Sequence, residues 1–304
     1  MSLKIIDLET TKRILNIELS VLYERIAAGQ YPSLTKRNNK SYYSVHDLDT
    51  LLNNRTKQIA TFMNIKGGVG KTTLSTNMAA GLALSGKKVL FLDFDPQANG
   101  TIIMSGRDNF EKSFYNYLTG EKVLSDLICD TQIDNLKIIP SNMILFNFNT
   151  AKYDLATLGK FEADLDEIKN NFDIIIIDTP PSTFGLLAVL GVIVSTDIYI
   201  CVEPGSLSLE NMDIIFKEIA ALKRILDQEP TVKVLLNKLD NRTKISGESN
   251  KLLQSTFNDK MADSTIRINT KFIEASANYQ SIFEHHLKSA EDIIKLIIEF
   301  RWGV

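Results

Sequence analysis

Cysteine, histidine and tryptophan are scarce: the 304 residues hold 2, 3 and 1 of them. Cys129 and Cys201 lie too far apart for the paired spacing of a zinc or iron–sulfur site and are too few for a disulfide framework. His46, His285 and His286 have no cysteine near them, so a metal centre of that kind is excluded and a reducing cytosol is expected. A charge excess is missing as well. With 34 Lys+Arg against 37 Asp+Glu the formal net charge is -3, which rules out a polycationic nucleic-acid coat but leaves room for a local basic surface. No window holds the roughly 18 uninterrupted apolar residues of a spanning helix, and residues 1–15 lack the basic stretch and apolar run of a signal peptide. The protein is expected to be neither exported nor membrane-spanning. What remains, 44% hydrophobic with 15 glycines and 7 prolines, is an ordered globular composition with room for one large domain or two unequal ones.

Positive charge is concentrated at the front. Up to residue 57 nine Lys+Arg face six Asp+Glu, a local +3, which leaves 25 basic and 31 acidic residues, -6, for the remainder. The polar run Asn53-Asn54-Arg55-Thr56-Lys57-Gln58 interrupts two apolar patterns, and a domain boundary is expected there, dividing residues 1–57 from 58–304. Beyond it, β-rich runs at 59–65, 88–93, 136–139, 172–178, 198–202 and 232–236 alternate with helical patterns such as 72–85 and 209–227. Such alternation implies an α/β fold with a mostly parallel central sheet flanked by helices. Ile174-Ile175-Ile176-Ile177 suits a strand buried on both faces, so it is expected at the centre.

The strongest chemical signal is Lys66-Gly67-Gly68-Val69-Gly70-Lys71-Thr72-Thr73, between a strand and a helix pattern. Glycines let the backbone curl so that successive N–H groups point into one concavity at a helix N-terminus, a site for phosphates. Lys71 is placed to reach the β- and γ-phosphates and the Thr72 hydroxyl to ligate Mg²⁺. The ordinary P-loop spelling fails because Ile65 stands where its first glycine belongs. A loop opening with Lys66-Gly67-Gly68 instead resembles the deviant Walker A loop of the ParA/MinD family of dimerising ATPases. The resemblance implies a P-loop NTPase fold, ATP and Mg²⁺ as cofactors, and a homodimer in which Lys66, as the signature lysine, reaches the partner's nucleotide. It makes residues 67–73 the phosphate cradle.

Further segments extend the resemblance. Asp93-Phe94-Asp95-Pro96 looks like switch I, with Asp95 orienting the attacking water and Asp93 supporting the metal shell; a carboxylate that holds water in line suits phosphoryl transfer. Residues 173–181 have the form of a Walker B strand running into switch II, with Asp178 holding Mg²⁺ through water. Asn237-Lys238-Leu239-Asp240 falls where the family binds adenine, so Asn237 is a candidate for the base edge. The same four letters also spell the guanine-reading tag of GTPases; ATP is preferred on the strength of the Lys66 loop.

Residues 4–52 read as a short helix from Asp7 to Leu15, a turn at Asn16-Ile17, a helix from Glu18 closed by Gly29, a basic loop at 36–40, a strand at 41–43 and a helix from His46 to Leu52. This order resembles the winged helix-turn-helix of MerR and excisionase proteins, which implies major-groove contacts from Ser20, Tyr23, Glu24 and Arg25 and backbone contacts from Lys36, Arg37 and Lys40. A docking module for protein is the alternative. Near the back, residues 264–275 are similar to a strand and basic loop of ParA proteins, placing Arg267 and Lys271 as non-specific DNA contacts. The amphipathic stretch 290–302 lacks the cationic face of a membrane helix and is expected to dock on the sheet.

Together these resemblances imply a cytoplasmic, nucleoid-associated DNA-partition ATPase that binds DNA as an ATP dimer, is stimulated by a ParB-like centromere-binding protein and represses its own operon. A positioner of non-DNA cargo and a nucleotide-responsive transcriptional repressor are the alternatives. Nitrogenase iron-protein chemistry is disfavoured by the placing of the cysteines.

Overall fold

The computed structural model describes residues 4–37, 40–52, 57–149, 151–182, 184–205, 209–222, 229–240 and 242–303. Most of the expected boundary, residues 53–56, the middle of the basic loop, Asn38-Asn39, and the end of the helix expected over 209–227 lie outside them.

At the front, β1 (Ile5–Asp7) leads into α1 (Leu8–Leu15), α2 (Leu19–Ala27), β2 (Thr35–Arg37), β3 (Lys40–Ser44) and α3 (Val45–Leu51). Asp7 caps α1 by accepting from the Thr10 N–H at 2.9 Å, and Asn16 closes the helix in the left-handed region. The three strands form an antiparallel sheet in the order β1-β3-β2. Only β3 was expected: β1 and β2 are three residues each, too short to display alternation. The basic segment is correspondingly not a free loop, since Lys36 and Arg37 belong to β2 and Lys40 opens β3. Ile6, Ile14, Leu22, Tyr43, Val45 and Leu48 make a small core of their own.

The body contains β4 (Gln58–Met63), α4 (Lys71–Leu84), β5 (Val89–Asp93), α5 (Asn99–Ser105), α6 (Phe114–Leu118), β6 (Cys129–Asp130), β7 (Leu136–Ile139), α7 (Phe146–Asn149), α8 (Leu155–Lys169), β8 (Ile174–Asp178), α9 (Leu186–Val194), β9 (Asp197–Val202), α10 (Leu209–Leu222), β10 (Thr231–Leu236), α11 (Lys244–Phe257), α12 (Thr270–Ala277), α13 (Ile282–His285) and α14 (Glu291–Trp302). Its seven strands are ordered β10-β9-β4-β8-β5-β7-β6 and pair in parallel except at the β6–β7 edge. The four isoleucines of β8 are indeed central, each at most 2% exposed. Ile175 and Ile177 point into one face with α8, α9 and α10; Ile174 and Ile176 point into the other with α4 and α14. A strand covered on both sides favours apolar residues along its length, and Asp178 at its C-terminal end is the exception. β6, two residues long and antiparallel, carries no pattern to read.

Helix α14 docks beside α4 on one face of the sheet, burying Ile293, Leu296, Ile297 and Phe300. The Phe300 ring reaches Tyr199 of β9 at 6.4 Å between centroids. No helix among the described residues is long and apolar enough to cross a membrane. The two helices approach closely at Gly81, where an added Cβ would lie 2.5 Å from Ile297 Cδ1 and 2.7 Å from the Phe283 ring. Gly81→Val should therefore cost about 2 kcal/mol by overpacking, read as a lowered urea midpoint with unchanged slope.

The front unit sits on the far ends of these helices. Asp49 of α3, buried, accepts from Arg301 Nη2 at 3.0 Å and from Lys87 just beyond α4. Arg301 also donates to Gln58, whose amide donates to the Phe300 carbonyl at 3.0 Å. Ile298 and Trp302 of α14 pack on the front core.

Candidate functional site

Between β4 and α4 the chain curls through Gly68 and Gly70, at φ +77° and +94°. Side chains other than glycine rarely adopt such angles. Gly70 is closed in addition: a Cβ there would lie 2.1 Å from Asn237 Nδ2. Val69 is buried in the core and anchors the curl from below, Gly67 passes beside Pro181, and the N-terminus of the 14-residue α4 opens at Lys71-Thr72-Thr73. Lys71 is 5% exposed and turns back over the loop, its Nζ donating to the Lys66 carbonyl at 3.2 Å. Backbone N–H groups, a helix N-terminus and a buried ammonium thus converge, which is an anion site by construction.

Three carboxylates gather at the C-terminal edge of the sheet beside it. Asp93 and Asp178 end β5 and β8 in direct register and are fully buried. Neither oxygen of Asp178 has a hydrogen-bond partner within 3.5 Å among the described residues, the Thr72 hydroxyl lying nearby. Burial first, and the Asp93 charge second, push its carboxyl well above the ordinary range, against the opposing pull of the Thr72 hydroxyl and the Lys71 ammonium. A buried carboxylate with both oxygens bare, beside a threonine hydroxyl and a phosphate cradle, fits a hydrated Mg²⁺.

Asp93 behaves differently from the expectation. Its Oδ2 accepts from the Thr101 N–H at 2.7 Å and the Thr101 hydroxyl at 2.8 Å, and its Oδ1 from the Asp95 N–H at 3.1 Å. It is committed to fastening the switch segment to α5 rather than to a metal shell. Burial raises it to about 7 despite the Thr101 bonds, with Asp95 adding to the rise. Asp95 is 8% exposed; its Oδ1 accepts from the Gln97 N–H at 2.9 Å, and burial raises its carboxyl as well.

For Asp93 and Asp178 the folded state holds protons that the unfolded chain releases near pH 4. Their stabilising protonation is complete below that pH and is lost as pH rises toward the folded values. The nucleotide-free protein should accordingly lose stability from pH 5 to pH 8. Asp178→Asn should flatten that slope and be about 1–2 kcal/mol more stable than wild type at pH 8, as measured by urea midpoints at both pH values.

Asn237, at the end of β10, donates from Nδ2 to the Val69 carbonyl at 2.8 Å. Its amide braces the phosphate loop, a contact not expected for a base reader. Two neighbours were missed altogether. Lys238, in the left-handed region at φ +56°, donates to the Gly68 carbonyl at 2.6 Å. Glu203, just after β9, accepts from Lys66 at 3.1 Å and from Lys238 at 2.9 Å. The available signal was positional: like Asp93 and Asp178, Glu203 stands at the C-terminal end of a parallel strand, the edge where α/β sheets bind ligands.

The structure thus brings Lys66 to Thr73, Asp93, Asp95, Asp178 and Asn237 together. The remaining candidates lie elsewhere. On α2, Ser20, Tyr23 and Glu24 face outward, whereas Arg25 donates to the Tyr31 hydroxyl and covers its ring at 5.2 Å, so it is braced internally. Lys36 and Lys40 are exposed. The Arg267 guanidinium is held by Asp292 at 2.6–3.1 Å and by Glu291 at 3.1 Å, tying it to α14. Those bonds, Asp292 foremost, raise its pKa further. Lys271 pairs with Glu274 at 2.6 Å on the same surface. The segment forms isolated bridges rather than the expected strand.

The family model described as "AAA domain" matches residues 56–234. The sporulation initiation inhibitor protein Soj of Bacillus subtilis is 32% identical over 238 residues, 76% of this chain and 92% of Soj. The chain belongs to the ParA/MinD family of P-loop ATPases. The cell division protein PomZ of Myxococcus xanthus is another family relative, 30% identical over 78% of this chain and 75% of PomZ. In fold, the septum site-determining protein MinD of Pyrococcus horikoshii, solved with Mg-ADP, superposes with a TM-score of 0.61 over 80% of this chain and 95% of MinD at 23% identity. The family match begins at residue 56, so the front unit lies outside it.

Proposed function

We propose that this chain is a DNA-partition ATPase whose two subunits pair around ATP and Mg²⁺. The observation that carries the reading is the division of labour between two lysines of one loop. Lys71 is buried over its own cradle, whereas the Lys66 side chain is 43% exposed at the rim, paired with Glu203. A cation at the rim is placed to serve a nucleotide presented from outside.

In this reading the loop N–H groups and Lys71 hold the triphosphate, and Thr72 with Asp178 would hold Mg²⁺, which neutralises phosphate charge when bound. Asp95 orients the attacking water, and Asp93 fixes Asp95. The Pyrococcus horikoshii MinD structure was solved with Mg-ADP, which supports a magnesium nucleotide as the ligand of this fold.

Residues 1–57 would form a winged helix-turn-helix domain and 58–304 the ATPase. The antiparallel three-stranded sheet and the outward Ser20, Tyr23 and Glu24 support a DNA reader, with the exposed Lys36 and Lys40 as phosphate contacts and Arg37 beside them in β2 as a third candidate. Operon repression, a ParB-like partner and nucleoid association in the cytoplasm follow from that reading. Two observations favour cargo positioning instead: the basic positions of the back segment are paired with acids, and the relative PomZ is a cell division protein.

Light scattering with a non-cleavable ATP analogue tests the core of the proposal. Wild type should double in mass, and Lys66→Ala should need about tenfold more protein to do so; a wild-type mass that ignores the analogue overturns it. Footprinting upstream of the coding region with ADP and ATP separates the two cargoes, since no protection with either favours the positioner.

A further inference from the structure

Three charged groups at the rim of the phosphate loop form one unit, and two of them, Glu203 and Lys238, have no role in the catalytic scheme. Glu203 presents one carboxylate oxygen to Lys66 Nζ at 3.1 Å and the other to Lys238 Nζ at 2.9 Å. Lys238 in turn donates to the Gly68 carbonyl at 2.6 Å, so the carboxylate is fastened to the loop from two directions. We infer that Glu203 is a positioning residue for Lys66, holding its ammonium on its own subunit until a partner's nucleotide takes it. The inference rests on the reading that Lys66 serves the opposite subunit.

Two physical features suit Glu203 to a reversible hold. The pair is partly solvated, with the Glu203 side chain 20% and the Lys66 side chain 43% exposed. Ion pairs in such settings contribute little net stability, and a triphosphate carrying several negative charges outcompetes a single carboxylate. Departure of Lys66 also leaves Glu203 its bond to Lys238, so no buried charge is stranded. Burial alone would lift the Glu203 carboxyl, but the bonds from Lys238 and Lys66 hold it below the usual range, and it stays ionised through neutral pH. Lys238 keeps its left-handed backbone because both its ammonium and the neighbouring Asn237 amide are tied to the loop, which sets Glu203's second anchor in place.

The hold opposes pairing, so removing its charge should promote pairing without improving the cradle. Glu203→Gln is expected to lower the protein concentration for analogue-driven dimerisation about threefold to fivefold, with ADP affinity within twofold of wild type. Glu203→Asp, too short to span both lysines, should fall between. Amine-reactive labelling of the nucleotide-free protein, read by mass spectrometry, should show Lys66 modified about threefold faster in Glu203→Gln and Lys71 unchanged. Unaltered dimerisation together with unaltered Lys66 labelling overturns the inference. Should wild type itself fail to dimerise, the reading of Lys66 as a cross-subunit residue falls, while the labelling rate, which requires no partner, still decides whether Glu203 holds the lysine.

Discussion

Lys71→Ala should weaken ATP binding at least a hundredfold, measured by displacement of a fluorescent nucleotide. The size follows from the placement of the ammonium. Its Nζ is buried and held at 3.2 Å from the Lys66 carbonyl, so it is desolvated before any ligand arrives, and its bonds to phosphate are formed in a low-dielectric setting. A charge-assisted bond there contributes about 1.5–3 kcal/mol, and two phosphates share it. The substitution also removes the cation that draws Asp95 and Asp178 toward ionisation, so the remaining carboxylates become more strongly protonated and Mg²⁺ loses its ligand charge. Lys71→Arg would retain the charge but not the fit, because the planar fork cannot fold back over the loop as a point charge does. Retained ATP affinity in a folded Lys71→Ala protein would remove Lys71 from the cradle.

The parts of this molecule that were legible in its sequence are those where one physical demand dominates. Residues 174–177 announced a central strand because a position covered on both faces tolerates nothing but apolar side chains. The phosphate loop was legible because its curl needs glycine at Gly68 and Gly70, and little else satisfies a φ near +90°. The first two helices of the front unit showed through their ends: Asp7 accepts from its helix N-terminus and Gly29 follows α2 at positive φ, whereas the third, expected from His46, starts at Val45 with Ser44 as its cap.

What escaped depends on contacts between distant segments. Nothing local marks Glu203 as the counter-ion of Lys66, 137 positions away in the chain. Nor does a short string around Arg267 reveal that Glu291 and Asp292, on a helix still to come, occupy its guanidinium. Asn237 was placed at a base edge because its neighbours spell a nucleotide tag, yet its amide is directed to the Val69 carbonyl, a choice made by how β10 ends beside the loop. Charge counts along a chain therefore overstate free cations wherever a basic residue and a later acid meet in the fold.

Asp95→Ala should leave ATP affinity within a few fold of wild type and lower turnover about a thousandfold, within the range by which a positioned acid–base group accelerates proton transfer. The two effects separate because Asp95 is built into the switch segment and not into the phosphate loop. Its backbone carbonyl accepts from Ser141 Oγ at 2.6 Å and its N–H is held by Asp93, so the main chain stays placed when the carboxylate is removed. The same burial that fixes it raises its carboxyl above the ordinary range, with the Gln97 N–H and Lys71 pulling the other way. A carboxylate closer in pKa to neutrality is a better acceptor for a proton from water than an exposed one. Turnover in wild type should consequently rise with pH as Asp95 loses its proton, along a limb displaced upward from that of a solvated aspartate. Asp95→Ala should lose that limb together with its rate. Asp95→Glu should keep part of the limb at reduced rate, because the longer side chain retains the acceptor but misplaces it. Phosphate release by Asp95→Ala at the wild-type rate, or a pH profile identical to wild type, would assign the water to another group.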